Sequence, residues 1–188
     1  MALVDRRKWN GRYERGDHAS EEPSKILTSL APLLPFSGRA LDVAGGAGRN
    51  ALWLAQHGLD VSLADISEVA LAFAVQRAQQ LNVSLTSLQV DLEEVPLPSG
   101  PWQMILSVQY LYRPLFDQFA RQLAPGGTLV VIHPTDSNLQ QNARPSKRFL
   151  LRDGELQKLV PQLAIVHYEE GWSLERRHDA VLVARRPQ

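Results

Sequence analysis

The chain has 188 residues, 44% of them hydrophobic, with 20 basic and 20 acidic side chains that leave a formal net charge of zero. This length favours one domain over residues 1–188, and the charge balance disfavours binding to nucleic acid or an anionic membrane through bulk charge. The lack of cysteine excludes disulfides, thiolate nucleophiles and sulfur-based zinc sites, and no metal site is predicted. The first residues lack a signal peptide's apolar core and no apolar run could span a bilayer, which predicts a cytoplasmic protein.

Residues 1–36 are predicted to form a polar arm followed by a short apolar helix. Isoleucine and leucine recur at helical spacing in KILTSLAPLL, and the pattern ends by Pro35. Residues 37–188 alternate between runs typical of strands and runs typical of helices. In chain order these are strand RALDVAG, helix GRNALWLAQHG, strand DVSLADIS, helix EVALAFAVQRAQQLN, strands SLTSLQVDL and WQMILSVQYL, helix RPLFDQFARQLAPGG and strand TLVVIH.

Three local features make further predictions. Ser67 is placed to cap the helix EVALAFAVQRAQQLN, whose apolar residues run nearly all round and predict a buried helix. The polar stretch 134–147 is long for a loop, and it is either a functional lid or partly ordered. A helix is predicted at DGELQKLV, ahead of the strands AIVHYEE and DAVLVARR.

The alternation of strands and helices indicates right-handed crossovers and a mostly parallel sheet that is covered on both faces. The last two strands differ, because the connection GWSLERRH has no room for a helix and makes them an antiparallel pair. The predicted fold class is therefore α/β, a Rossmann-like three-layer αβα sandwich. Its sheet is seven-stranded and mostly parallel with an antiparallel C-terminal strand, and residues 37–188 form this core.

A glycine cluster follows the first strand at the edge where parallel sheets bind ligands. Gly45, Gly46 and Gly48 lack side chains, so a ligand can approach the main chain, and the next helix begins with free amides that favour an anion. The sequence GAGRNA nearly satisfies the dinucleotide-binding pattern, which keeps a nicotinamide or flavin enzyme among the hypotheses.

Carboxylates at three strand ends indicate a different ligand. Asp42, just ahead of the glycines, would repel a pyrophosphate and suits an ammonium group. Asp65 ends the second strand, where an acidic side chain accepts hydrogen bonds from ribose hydroxyls, and Asp91 ends the third, where it could accept from the adenine amine. A ligand with an amino acid at one end and adenosine at the other would use all three.

These motifs resemble those of class I S-adenosylmethionine-dependent methyltransferases. The segment LDVAGGAG resembles the family's glycine motif, LADIS its acidic motif, VDLEEVPLP its adenine motif and LAPGGTLVVI its later turn and strand, so the similarity runs from about residue 38 to the end. The opening KWNGRYERG and the GRN after the glycines are similar to the tellurite-resistance and thiopurine-methyltransferase-like branch. The resemblance implies S-adenosyl-L-methionine as cofactor and an N-terminal segment, 1–36, that covers its site.

One departure from the family pattern matters. The motif Asp-x-Gly-x-Gly-x-Gly begins here with Asp42-x-Ala44, and alanine fits if it keeps a negative φ, so we expect weaker binding at worst. The resemblance implies cofactor contacts along these motifs, at Asp42, Ala44, Gly45, Gly46, Gly48, Arg49, Asn50, Asp65, Ile66, Ser67, Asp91, Leu92, Ser107 and Val108. The candidates for the acceptor side are Trp9, Tyr13, Gln109, Tyr110, Tyr112, His133 and Arg148.

The expected reaction is an in-line displacement that needs alignment in a dry pocket and no protein nucleophile, so no catalytic residue is assigned. A general base is needed only for an acceptor that arrives protonated. His133 is either that base or a structural hydrogen-bonding group. The segment ARPSKRFLL with Arg148 either closes over the pocket, which favours an anionic acceptor, or is a solvated basic run.

The expected acceptor is a small molecule, such as a thiol, a chalcogen oxyanion or another small anion. A nucleic-acid acceptor is disfavoured. Methyltransferases that act on the amino groups of adenine and cytosine share an Asn/Asp-Pro-Pro-aromatic tetrad at the end of the fourth strand, and SVQY lacks it. Two alternatives stay open: a nicotinamide-dependent oxidoreductase, and a protein that binds S-adenosylmethionine without catalysis. The sequence makes no prediction of the oligomeric state.

Overall fold

A seven-stranded sheet organises the computed structural model, which describes residues 2–17, 20–173 and 175–188. The strand order is β3-β2-β1-β4-β5-β7-β6, and β7 alone runs against the other six. The predicted fold and the antiparallel C-terminal strand are thus confirmed. The strands are β1 (Arg39–Val43), β2 (Asp60–Asp65), β3 (Leu85–Gln89), β4 (Trp102–Val108), β5 (Leu123–Pro134), β6 (Ala164–Trp172) and β7 (His178–Arg185).

Helices cover both faces of the sheet. One face packs against α2, α3 and α4 through an apolar cluster that includes Leu27, Leu54 and Leu63. The other face packs against α5 and the segment 156–163 around Trp102 and Phe119. The helices are α1 (Ala2–Glu14), α2 (Lys25–Ser29), α3 (Arg49–Gln56), α4 (Glu68–Gln80) and α5 (Leu115–Gln122), with short 3₁₀ turns at Ala31–Leu33, Asp136–Gln140, Lys147–Phe149 and Leu156–Leu159.

The central strands form the core because their apolar residues are buried on both faces, as expected for parallel strands between two helical layers. The strand order reverses between β1 and β4, and both strands end at the same edge of the sheet. Ligands of open α/β sheets bind in the crevice at such a point. The edge strand β6 is different, since Ile165 and Val166 are both 43% exposed.

Two predicted helices differ from expectation. The prediction that α4 is buried all round is wrong, since Phe73 and Leu81 are 42% and 40% exposed and only the face with Leu71 and Ala74 is covered. An outer helix of a three-layer sandwich meets the sheet on one side only. The segment DGELQKLV forms only the 3₁₀ turn Leu156–Leu159, because Pro161 stops helical propagation directly after it.

The N-terminal polar arm is also different from its prediction, because residues 2–14 form the helix α1. The helix carries no apolar stripe, and that is why periodicity did not indicate it. The apolar helix predicted after it is confirmed as α2 and the turn Ala31–Leu33, with Leu27 and Leu30 buried.

The polar stretch after β5 is ordered around one buried side chain, Asn138, which is 1% exposed. Its Oδ1 accepts from the Nδ2 of Asn142 at 3.0 Å and from the backbone N–H of His178 at 3.3 Å, and its Nδ2 donates to the carbonyl of Arg144 at 3.1 Å. The stretch therefore packs on the start of β7.

Candidate functional site

The loop between β1 and α3 has the tight geometry that its glycines predict. Gly46 and Gly48 adopt φ values of 58° and 77°, which lie in the left-handed region that favours glycine. Ala44 lies there too, with φ of 53°, so the expectation that alanine keeps a negative φ is wrong. A side chain at this φ costs roughly 1–2 kcal/mol, which means that the loop is strained where the family pattern has glycine.

Gly45, which lies outside the family's glycine spacing, is constrained by its neighbours. A Cβ atom at this position would overlap the Oδ2 of Asp42 and would lie 2.5 Å from the Cδ1 of Leu63. The loop backbone thus approaches the Asp42 carboxylate closely because Gly45 has no side chain.

Asp42 is a buried carboxylate in the part of the chain that the structure describes, and neither of its oxygens has a hydrogen-bond partner there. It is 1% exposed at the end of β1. Burial raises its pKa to about 7 and the Asp65 carboxylate adds to this. The backbone amide of Ala51 is close enough to lower the pKa in part, but it does not reach hydrogen-bond geometry with either oxygen. A buried charge without a partner is unfavourable, so a cationic ligand group at this position would be strongly stabilised.

Asp65 holds the glycine loop against α4. Its Oδ2 accepts from the backbone N–H of Gly46 at 2.8 Å, and its Oδ1 accepts from that of Ser67 at 2.9 Å. Burial raises the pKa of Asp65, and the amides of Ser67, Gly46 and Ile66 lower it in part. An ionised carboxylate has about four acceptor positions, so it can still accept from a diol. The predicted cap is confirmed, since the Ser67 Oγ accepts from the Ala70 N–H at 3.1 Å.

The third carboxylate is placed differently from its prediction. β3 ends at Gln89, so Asp91 lies in the following turn, where its Oδ1 accepts from the backbone N–H of Glu93 at 2.9 Å. Leu92 is 4% exposed and packs in the apolar core. Asp91 therefore forms the turn that leads away from β3 instead of ending the strand.

The residues after the glycines tie the N-terminal segment to the core. The Oδ1 of Asn50, on α3, accepts from the backbone N–H of Ser24 at 2.9 Å, just before α2 begins. The Nη1 of Arg49 donates to the carbonyl of Glu22 at 3.5 Å. Both polar side chains therefore hydrogen-bond to backbone atoms of the N-terminal segment.

The helix α1 lies over the glycine loop. The Tyr13 hydroxyl is so close to Gly46 that a Cβ atom there would overlap it. Burial raises the pKa of Tyr13, and the Asp65 and Asp42 carboxylates add to this. The ring centroid of Trp9 is 6.4 Å from that of Tyr13. Two predicted acceptor-side residues are thus beside the predicted cofactor loop.

The end of β4 carries the strained residue Gln109, with φ of 59°. Its backbone N–H donates to the Ile132 carbonyl at 2.8 Å. With the amide oriented toward β7, its side-chain oxygen accepts from the Nη1 and Nη2 of Arg177 at 3.1 and 3.0 Å. Arg177 also pairs with Glu175 at 2.6 Å and with Asp179 at 3.4 Å. Sequence reasoning missed Arg177, because a charge in a hairpin connection gives no signal of its partner.

The neighbours of Gln109 pack against both apolar clusters, Val108 against the one with Leu63 and Tyr110 against the one with Trp102. Ser107 is 2% exposed, and its Oγ donates to the Tyr110 carbonyl at 3.3 Å, while Val108 is half-buried. Burial raises the pKa of Tyr110, and the carboxylates of Glu93 and Asp91 add to this. Tyr110 therefore lies on the side of the turn that follows β3.

His133 has the geometry of a structural hydrogen-bonding group. It is 3% exposed, and its Nε2 lies 2.8 Å from the Phe149 carbonyl. A carbonyl only accepts, so Nε2 carries the proton and Nδ1 is the unprotonated nitrogen. Burial lowers the pKa of His133 to about 4, so the imidazole is neutral and a weak base near pH 7.

Two acceptor-side candidates remain: Tyr112 is half-buried against the apolar core, and Arg148 lies on the surface. The Tyr112 hydroxyl donates to the Glu93 carbonyl at 3.3 Å. Arg148 is exposed, with its guanidinium 4.5 Å from the ring centroid of Phe149. Arg113 donates to the Glu155 carboxylate at 2.7 and 2.8 Å.

Comparisons with known proteins agree with this arrangement. Residues 40–127 match a family model described as Methyltransferase domain. A search of curated proteins gave no significant match. Among the described residues, no helix has the length and apolar character needed to cross a membrane.

Three solved structures show the shared fold. TehB from Haemophilus influenzae has a TM-score of 0.73 and 17% identity, and the match covers 93% of this chain and 66% of TehB. Magnesium protoporphyrin IX methyltransferase from Synechocystis, with bound S-adenosylhomocysteine, has a TM-score of 0.67 and 19% identity over 86% and 78%. The [4+2]-cyclase SpnF has a TM-score of 0.71 and 18% identity over 87% and 80%, so the fold alone does not determine the reaction.

The observations from the sequence, the fold and the site agree. The methyltransferase-domain match covers β1 to the start of β5, and that part contains the glycine loop, Asp42 and Asp65. A neighbour of the same fold binds S-adenosylhomocysteine. Residues 40–127 are thus similar to methyltransferase domains, and the chain has the Rossmann-like fold of the solved structures.

Proposed function

We propose that this protein transfers the methyl group of S-adenosyl-L-methionine to a small-molecule acceptor. The observation that carries the proposal is the unpartnered, buried carboxylate of Asp42 beside the glycine loop. An amino-acid ammonium group would neutralise this carboxylate, whereas the pyrophosphate of a dinucleotide would be repelled by it. The same carboxylate therefore supports the methyltransferase hypothesis and disfavours the nicotinamide alternative.

The other site residues have complementary roles in this proposal. Asp65 has spare acceptor positions for ribose hydroxyls, and in this proposal the adenine lies beside the turn with Asp91. The cofactor, when bound, supplies a methyl group on a sulfonium that a nucleophile can displace in line. The chain's own contribution is to orient the reactants and to exclude water. The end of β4 and the helix α1, which both lie beside the glycine loop, would do this.

For the acceptor we propose a thiol, a chalcogen oxyanion or another small anion. The support is the similarity of the opening segment to the tellurite-resistance branch and the fold shared with H. influenzae TehB. Arg113 and Arg177 already pair with carboxylates, so an incoming anion would compete for them. This pairing favours an acceptor with little net charge, such as a thiol, over a doubly charged oxyanion.

A two-stage experiment tests the proposal. Isothermal titration with S-adenosylhomocysteine, beside an Asp65→Ala variant, should give micromolar binding that the variant loses. Incubation with methyl-labelled cofactor and a panel of thiols, chalcogen oxyanions and small anions should then give a labelled product. Binding without any labelled product would indicate the non-catalytic alternative. Binding of reduced nicotinamide dinucleotide, but not of S-adenosylhomocysteine, would overturn the proposal.

A further inference from the structure

One face of α1 contacts the cofactor edge of the sheet at successive turns. Arg6, Asn10 and Tyr13 have the spacing i, i+4 and i+7, so their side chains lie along one stripe of the helix. They contact Gly46 in the glycine loop, and Ser67 and Glu68 at the N-terminus of α4. The helix therefore bridges the two segments that form the ribose side of the site.

Two of these contacts form what we call the latch. The Nε and Nη2 of Arg6 donate to the two carboxylate oxygens of Glu68, each at 2.7 Å, and the Ser67 Oγ donates to the Asn10 Oδ1 at 2.7 Å. The Arg6 hydrogen bonds lower the pKa of Glu68 to about 2, so the pair is ionised at neutral pH. A bidentate guanidinium–carboxylate pair fixes orientation as well as position.

The third contact closes the crevice. The Tyr13 hydroxyl lies against Gly46. Burial raises its pKa and the carboxylates of Asp65 and Asp42 add to this, so the phenol is near the two carboxylates of the proposed cofactor site. A cofactor bound along the glycine loop would lie beneath α1. Tyr13 in this position would hinder its entry and its release.

The attachment of α1 is polar, which makes it releasable. From Val4 to Glu14 no described side chain is buried, and Val4 itself is 72% exposed. The side chains of Arg6 and Glu68 are 41% and 42% exposed, so solvent and salt reach the pair. Exposed pairs of this kind are individually weak and are screened by salt. By contrast, α2 is fixed through Leu27, which is fully buried, and through the Ser24–Asn50 hydrogen bond.

We propose that α1 is a gate, and that the latch sets the rate at which S-adenosylmethionine enters and S-adenosylhomocysteine leaves. Release of the latch lets α1 move while α2 stays on the core. Gly16, with φ of 75° and open space around it, is a turn residue between them at which the chain can bend. The proposal rests on the proposed cofactor site and adds the step that controls its exchange.

Stopped-flow measurement of S-adenosylhomocysteine dissociation from the full chain tests the gate, with tryptophan fluorescence as the signal. Arg6→Gln and Glu68→Gln should each accelerate dissociation by about threefold or more, and the double variant should be no faster than the faster single one, because both remove one pair. Arg7→Gln is the matched control, since it makes the same change at the neighbouring, exposed position and should leave the rate unchanged. Higher salt should accelerate the wild type and not the double variant.

Two outcomes overturn the proposal in distinguishable ways. Wild-type binding with equal dissociation rates for Arg6→Gln and Arg7→Gln would show that α1 does not limit exchange, while the cofactor site would stand. No binding by the wild type would remove the cofactor site and the gate together. Hydrogen exchange provides a second readout, because the amides of α1 should exchange faster in Arg6→Gln than in Arg7→Gln while those of α4 stay unchanged.

Discussion

The buried carboxylate of Asp42 predicts that the ligand-free protein loses stability as the pH rises. Its pKa is raised from 3.8 to about 7 in the folded chain. Between these two values the folded state holds a proton that the unfolded state has released, so the free energy of unfolding falls with increasing pH across this range. At ~1.36 kcal/mol per pH unit, the loss from pH 4 to pH 8 is about 4 kcal/mol as an upper value.

Asp42→Asn isolates this contribution. The amide does not titrate, so the stability of the variant relative to the wild type should improve by roughly 1–3 kcal/mol between pH 5 and pH 8. The asparagine side chain of the variant is also buried without partners, and it destabilises the fold equally at both pH values. The informative quantity is therefore the change in the free energy of unfolding between the two pH values. Urea unfolding of both proteins without ligand, at pH 5 and at pH 8, measures it.

The same variant tests the role of the carboxylate in binding. Loss of a charge-assisted partner should weaken S-adenosylhomocysteine binding by about 10- to 100-fold at pH 8. Equal pH dependence of the free energy of unfolding in both proteins would refute the argument that burial raises the pKa of Asp42. Unchanged affinity alongside the expected stability change would refute the assignment of Asp42 to the ammonium group.

Three further substitutions test the loop and the surface. Ala44→Gly should relieve the positive φ and raise the stability by about 0.5–1 kcal/mol, with a melting temperature higher by roughly 2 °C and cofactor affinity that is not reduced; a lower melting temperature would contradict this. Gly45→Ala should destabilise by about 1–3 kcal/mol and weaken titrated S-adenosylhomocysteine binding, because its Cβ would overlap Asp42 and crowd Leu63. Arg148→Ala should raise the Michaelis constant of an anionic acceptor without changing cofactor affinity, and unchanged acceptor kinetics would identify a solvated surface residue.

Much of the fold and part of the site follow from local sequence patterns. The alternation of strands and helices predicts the sheet, and the connection before β7 predicts its reversal, because both depend on chain length and periodicity. Ser67 caps α4 as predicted, since capping is a property of neighbouring residues. Asp42 and Asp65 come together because adjacent parallel strands end at one edge.

The rest depends on contacts between distant residues or on backbone angles. Arg6 and Glu68 are 62 positions apart, and polar stripes on helices usually face solvent, so α1's contacts leave no sequence signal. Ala44 adopts a left-handed φ because the loop must turn between β1 and α3, whatever residue is present. Arg177 meets Gln109 only because β7 inserts beside β5.

The insertion of β7 also sets the order in which the sheet can be built during synthesis. Thr128 pairs with Arg185 and Pro134 with Asp179, so the partners on β5 and β7 are 57 and 45 positions apart. β6 has β7 as its only neighbour in the described sheet, and it must wait unpaired until the ribosome has passed Arg185. The strands that carry Asp42 and Asp65 can pair well before that point. The part of the sheet that carries the glycine loop can thus assemble on the nascent chain ahead of β6 and β7.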